Sequence, residues 1–119
     1  MPSGYHPDQR RKWSVLMADR ISQLKALLEQ EPGDPFILYS LAHEYAKAGD
    51  AAHALAFFDR TLAADADYCY AYYHKARVQQ QTGDAAAAKQ TLETGLARAV
   101  ACRDQKAESE IRLYLDSLG

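Results

Sequence analysis

From Asp8 onward the apolar positions fall at helical steps. Trp13, Leu16, Met17, Ile21, Leu24 and Leu28 recur largely at three and four, which places them on one stripe of a helix running to about Gln30. Pro32-Gly33 ends that run, and Asp34-Pro35 starts another, with a side-chain acceptor at the cap and a proline whose missing N–H is no loss there. The second helix reaches about Ala48. Gly49 then supplies a left-handed residue and Asp50 a cap, so a third helix over Ala51–Ala64 follows after a short turn and lies antiparallel to the second. Its buried stripe is read as Ala54, Leu55, Phe58 and Leu62. Asp67 is expected to cap a fourth helix ending at Gly83, and Asp84 a fifth running to about Ala101. Asp104 opens a last helix with Ala107, Ile111, Leu115 and Leu118 as its apolar stripe, and with Glu108 and Arg112 paired on another face. Residues 1–7 (MPSGYHP) show no apolar period and are expected to form a flexible tail.

The pattern repeats itself. LYSLAHEYAKAGD, from Leu38 to Asp50, recurs as YYHKARVQQQTGD, from Tyr72 to Asp84, and the pairs Gly49 and Gly83, Ala42 and Ala76, Ala54 and Ala88, and Leu62 and Leu96 are all 34 residues apart. A fixed period of this size marks a repeat architecture, in which each unit buries its apolar face by stacking on the next. The expected organisation is one domain over 8–119: an N-terminal helix over 8–33, a first repeat over 34–67, a second over 68–101, and a capping helix over 102–119. The fold class is all-α, with about six helices arranged as antiparallel hairpins in a superhelix.

Composition narrows the function. The chain has 119 residues, a formal charge of −2 and 48% hydrophobic residues, with alanine prominent. The scattered charge lacks the basic field that binding to nucleic acid needs, and Arg10, Arg11 and Lys12 read as a solvated helix end. No window resembles a signal peptide or a membrane span, so a cytoplasmic protein without a membrane partner is expected. Cys69 and Cys102 form neither a disulfide framework nor a zinc spacing, and reduced thiols are expected. There is no glycine-rich phosphate loop, nucleophile elbow or paired-carboxylate motif, hence no expectation of an enzyme or of a cofactor.

The period and its residues resemble the tetratricopeptide repeat (TPR). In the first copy Leu38, Leu41-Ala42, Tyr45, Gly49, Ala54 and Phe58 match the fingerprint, with Thr61 and Ala66 in place of the usual alanine and proline. In the second, Tyr72, Ala76, Gly83, Ala88 and Leu92 match, while Lys75, Gln79 and Val100 depart from Leu, Tyr and Pro. The resemblance implies a solenoid whose first helices line a concave groove for a peptide or a partner helix. Carried onto this chain, the partner-binding residues are Phe36, Tyr39, His43 and Lys47 from the first copy, and Tyr70, Tyr73, His74, Arg77, Gln80 and Gln81 from the second.

Tyrosine and arginine are favoured in binding patches, and Lys47 with Arg77 points to an acidic element in the ligand. The competing reading packs these aromatics against the terminal helices. TPR proteins that grip an acidic chaperone C-terminus use lysine and asparagine at groove positions that here hold Tyr39, His43 and His74, a departure from that activity. His43 and His74 lie on adjacent first helices with no evident third ligand, so no metal site is expected; His6 and His53 read as exposed. The expected function is a protein-interaction scaffold. The alternative is a structural homo-oligomer, a homodimer in its simplest form, joined through Trp13, Leu16 and Met17 at one end and Tyr114 and Leu118 at the other.

Overall fold

The computed structural model describes residues 8–119, with side chains described from 19 onward. The expected tail over 1–7, His6, and the side chains of Trp13, Leu16 and Met17 lie outside the described residues. Six helices follow one another: α1 (Asp8–Gln30), α2 (Pro35–Lys47), α3 (Ala51–Ala64), α4 (Cys69–Gln81), α5 (Ala85–Ala101) and α6 (Gln105–Ser117). Helices α2 and α3 form one hairpin and α4 and α5 a second. Helix α1 packs on α2, and α6 packs on α5. Helix α4 also touches α2 on one side and α6 on the other, so these three form a front layer with α3 and α5 behind it.

Local chemistry sets the helix starts. The Asp34 carboxylate accepts from the Phe36 N–H at 2.8 Å, Asp50 from His53 at 3.1 Å, Asp84 from Ala87 at 3.0 Å and Asp104 from Ala107 at 3.1 Å. These bonds satisfy amide donors that the first turn leaves unpaired. Asp67 does not act this way, contrary to the sequence expectation. The residue flanking α4 is Tyr68, whose side chain caps nothing. Asp67 instead donates its N–H to the Asp65 carboxylate at 3.0 Å, and its own carboxylate faces the Arg98 guanidinium at 3.5 Å. The turn over Asp65 to Tyr68 is closed from its own start, which leaves the Tyr68 ring free to join the front layer.

Three helix ends share one geometry. Gly49 has φ 80°, and its N–H and that of Asp50 donate back to Ala46 and Tyr45; Gly83 has φ 89°, and its N–H and that of Asp84 donate to Gln80 and Gln79. The same pair of bonds closes α5 with Arg103 at φ 60°, from Arg103 to Val100 and from Asp104 to Ala99. The Gly-Asp rhythm that stops in the sequence thus continues in the backbone as Arg-Asp, with an arginine held in the left-handed region that favours glycine.

The core sits between the layers. Ala42, Ala54, Ala76 and Ala88 are fully buried and admit the close helix crossings, while Phe58 and Leu92 fill the space beside them. Gly95 permits a further close approach: a Cβ there would lie 2.6 Å from the Tyr72 Cβ. On α6, Ala107 and Ile111 are buried, and Arg112 pairs with Glu108 at 3.1 Å.

Candidate functional site: an aromatic trough across the front layer

The front layer carries a continuous run of rings. Tyr68, just before α4, lies 4.8 Å from Tyr39 between ring centroids, and Tyr39 lies 5.1 Å from His43. His43 meets His74 of α4 at 4.3 Å, His74 meets Tyr73 at 5.2 Å, and Tyr73 meets Tyr114 of α6 at 5.2 Å. Beneath them Phe58 reaches from α3 to within 6.1 Å of Tyr39 and 6.3 Å of His43. Most of these contacts are edge-to-face, the arrangement that the charge distribution of aromatic rings favours. The Tyr114 hydroxyl donates to the Gln80 side-chain carbonyl.

Three depressions follow this run. The central one, ≈ 300 Å³, lies between α2 and α4 and is bounded by His43, Lys47, His74 and Arg77. The second, ≈ 480 Å³, opens between α1 and α2 beside Leu24, Leu27, Phe36 and Tyr39. The third, ≈ 400 Å³, lies between α4 and α6 beside Tyr73, Gln80 and Tyr114. His43 and Lys47 border the first two depressions and Arg77 the first and third, so they adjoin as one trough.

Electrostatics divide the floor from the rim. Burial lowers His74 to about 4, and the charges of His43 and Arg77 act in the same direction. Burial also lowers His43, with Lys47 adding to the effect, and burial pushes the Tyr39 phenol up to about 12. At neutral pH the floor is therefore uncharged. At the rim, Glu44 is only 5% exposed and takes Lys47 at 3.4 Å and Arg20 at 3.5 Å. Lys47 thus shares one carboxylate with Arg20 and is partly neutralised within the chain. Among the described residues Arg77 has no ion-pair partner.

The structure gathers Tyr39, His43, Lys47, Tyr73, His74, Arg77, Gln80 and Gln81 along this trough. Phe36 stands at one end, 64% exposed, and Tyr70 turns toward Glu110 of α6. Tyr73 packs on the last helix, as the packing reading of the aromatics expects, while Phe36 remains exposed. Tyr68, Phe58, Glu44 and Tyr114 also border the trough or its ring run, and the sequence reading did not place them there. The three-residue spacing of Glu44 and Lys47 was a usable signal for that pair, whereas the expectation of Asp67 as a cap hid the part played by Tyr68. Tyr114 and Leu118, expected at an oligomer contact, are engaged within the chain: Tyr114 in the trough, and Leu118 against the core of the second hairpin. Among the described residues no group of three or more His, Cys, Asp or Glu is arranged to hold a metal ion. No helix there is long and apolar enough to cross a membrane.

No protein-family model matches the chain. It is similar to the TPR repeat-containing protein PA0015 of Pseudomonas aeruginosa, 31% identical over 98 residues that cover 82% of this chain and 93% of that one. Among solved structures it is similar to a tetratricopeptide repeat domain protein from Salinibacter ruber, with a TM-score of 0.69 and 32% identity over 73% of this chain and 88% of that one. PcrH, crystallised in complex with the chaperone binding region of PopD, has the same fold, with a TM-score of 0.79 at 18% identity over 99% of this chain and 96% of that one. The repeated hairpins, the small residues at their crossings and these likenesses give one conclusion: the chain belongs to the tetratricopeptide repeat family.

Proposed function

We propose that the trough across α2, α4 and α6 receives an extended segment or a helix of a protein partner, and that the chain acts as a binding module and not as a catalyst. The observation that carries this reading is the continuity of three depressions over an uncharged aromatic floor. Such a surface offers apolar area with little side-chain entropy to lose, because tyrosine has few rotatable bonds. Phe36, exposed at one end, supplies an apolar anchor. Arg77 selects for an acidic or carboxylate group near the middle of the bound segment, and the amides of Gln80 and Gln81 can pair with its backbone. The complex of PcrH with a region of PopD shows that a protein of this fold takes up a polypeptide segment.

The test is affinity capture from the source cells with two surface variants. Arg77→Glu reverses the charge between two of the depressions, while Lys89→Glu makes the same change on α5, in the rear layer. Partners captured by the wild-type chain should be lost with Arg77→Glu and kept with Lys89→Glu, both variants retaining the helical circular dichroism of the wild type. Equal recovery with both variants would remove the case for the trough.

A further inference from the structure

Away from the trough, the two cysteines meet. Cys69 is the first residue of α4 and Cys102 the residue that caps α5, and their sulfurs lie 3.8 Å apart although 33 positions separate them in the chain. A disulfide bond is about 2.0 Å long, so the two sulfurs are at contact distance and short of bonding. Their surroundings differ. Cys69 is buried, packed with Ala99 of α5 and Ala107 of α6, whereas Cys102 is exposed.

We propose that Cys69 and Cys102 form a reversible intramolecular disulfide by exchange with a low-molecular-weight disulfide, fastening the start of α4 to the end of α5. The exposed thiol reacts first. Cys102, as the thiolate, attacks one sulfur of the reagent; a mixed disulfide forms on Cys102, and the other half of the reagent leaves as a thiolate and takes up a proton. Cys69 then loses its proton, attacks the Cys102 sulfur and expels the second half as a thiol. The two cysteines lose two electrons and two protons, and the reagent gains both as two small thiols. Excess thiol runs the sequence backward.

The neighbourhood sets the pace. Burial pushes the Cys69 thiol up to about 12, and the charges of Cys102, Asp104 and Asp67 oppose its ionisation as well. Once Cys102 carries the mixed disulfide, its own contribution to that opposition is gone. The second step is the slow one, and it quickens as pH rises. The link encloses the whole second hairpin, and because Ala107 rests on Cys69 it lies directly beneath the last helix. Cross-linking restricts the unfolded chain, so the oxidised form is the more stable.

This inference stands apart from the trough and its partner. The full chain is equilibrated in glutathione buffers from fully reduced to fully oxidised. The expected product has a mass lower by about 2 Da, the two hydrogens lost. It yields a proteolytic peptide pair joined through Cys69 and Cys102, and its thermal midpoint is higher by about 10 °C. Excess dithiothreitol reverses all three changes. Cys102→Ser, a change at an exposed position, retains the fold and shows none of them. A glutathione adduct on Cys102 as the end product, a disulfide-linked dimer, or free thiols at every buffer ratio would each overturn the proposal.

Discussion

The two hairpins keep one backbone and fill it with different chemistry. In the first, Tyr45 stacks on Phe57 at 5.5 Å with the rings 11° from parallel. At the positions 34 residues later, the Thr91 hydroxyl donates to the Gln79 side-chain carbonyl at 2.7 Å. Leu41 is fully buried; its counterpart Lys75 reaches out to the Asp59 carboxylate at 2.7 Å. Leu38 and Thr61 correspond to Tyr72 and Gly95, a larger residue on one helix matched by a smaller one on the other. The crossing depends on the buried alanines and the turn, which both copies share, while a hydrogen-bonded pair can stand where an aromatic stack stood. Burial missing from the second hairpin comes from outside it: Ile111 of α6 joins Ala76, Ala88 and Leu92 in one cluster.

The sharpest break in the comparison comes from emptying the two cores. Phe58→Ala should cost about 4 kcal/mol and Leu92→Ala about 3 kcal/mol, read by urea unfolding, because the larger ring leaves the larger cavity. A greater loss at Leu92 would mean that the second hairpin carries the fold. Gly95→Ala comes next. The added Cβ would sit 2.6 Å from the Tyr72 Cβ, and although alanine favours a helix by about 1 kcal/mol over glycine, the overpacking should leave a net loss of about 1–2 kcal/mol. Stabilisation would show that Tyr72 can move aside.

The seam between the hairpins is expected to respond to pH. Folded His74 titrates at about 4 against an ordinary value of 6.5, and His43 is lowered as well. Between those values the unfolded chain holds more protons than the folded one, so stability is full above pH 6.5 and falls as pH drops toward 4. With allowance for the partial exposure of the ring, the loss from pH 7 to 5 should be about 1 kcal/mol. His74→Gln should flatten that part of the profile, whereas an unchanged slope would assign it to other groups. The smallest effect expected is that of Gln79→Tyr with Thr91→Phe, which transfers the aromatic stack of the first hairpin to the second. A gain of somewhat under about 1 kcal/mol is expected in thermal unfolding, and a loss would show that the two positions are not equivalent in space.

The helices were legible because their signals are local. Asp34, Asp50, Asp84 and Asp104 announce starts through a side chain that reaches only two or three residues ahead. The trough was legible in part. The three- and four-residue spacings of Tyr39, His43 and Lys47, and of Tyr73, Arg77 and Gln80, show which side of each helix they occupy, but a single helix says nothing about what stands opposite. Glu44 holding both Arg20 and Lys47 therefore changes the reading of Lys47 from a free cation to a partly neutralised one. Arg103 in a glycine conformation carries no signature of its own.

From residue order alone came the all-α class, the 34-residue period, the hairpin turns and the small residues at the crossings, since each depends on neighbours within one or two helical turns. The packing of the layers decided the rest. It set His43 against His74, brought Tyr68 and Tyr114 into line with the ring run, and placed Cys69 beside Cys102. Contacts between helices depend on the angle and depth at which two surfaces interlock. Those are properties of the assembled core, shared among many side chains and written in none of them singly.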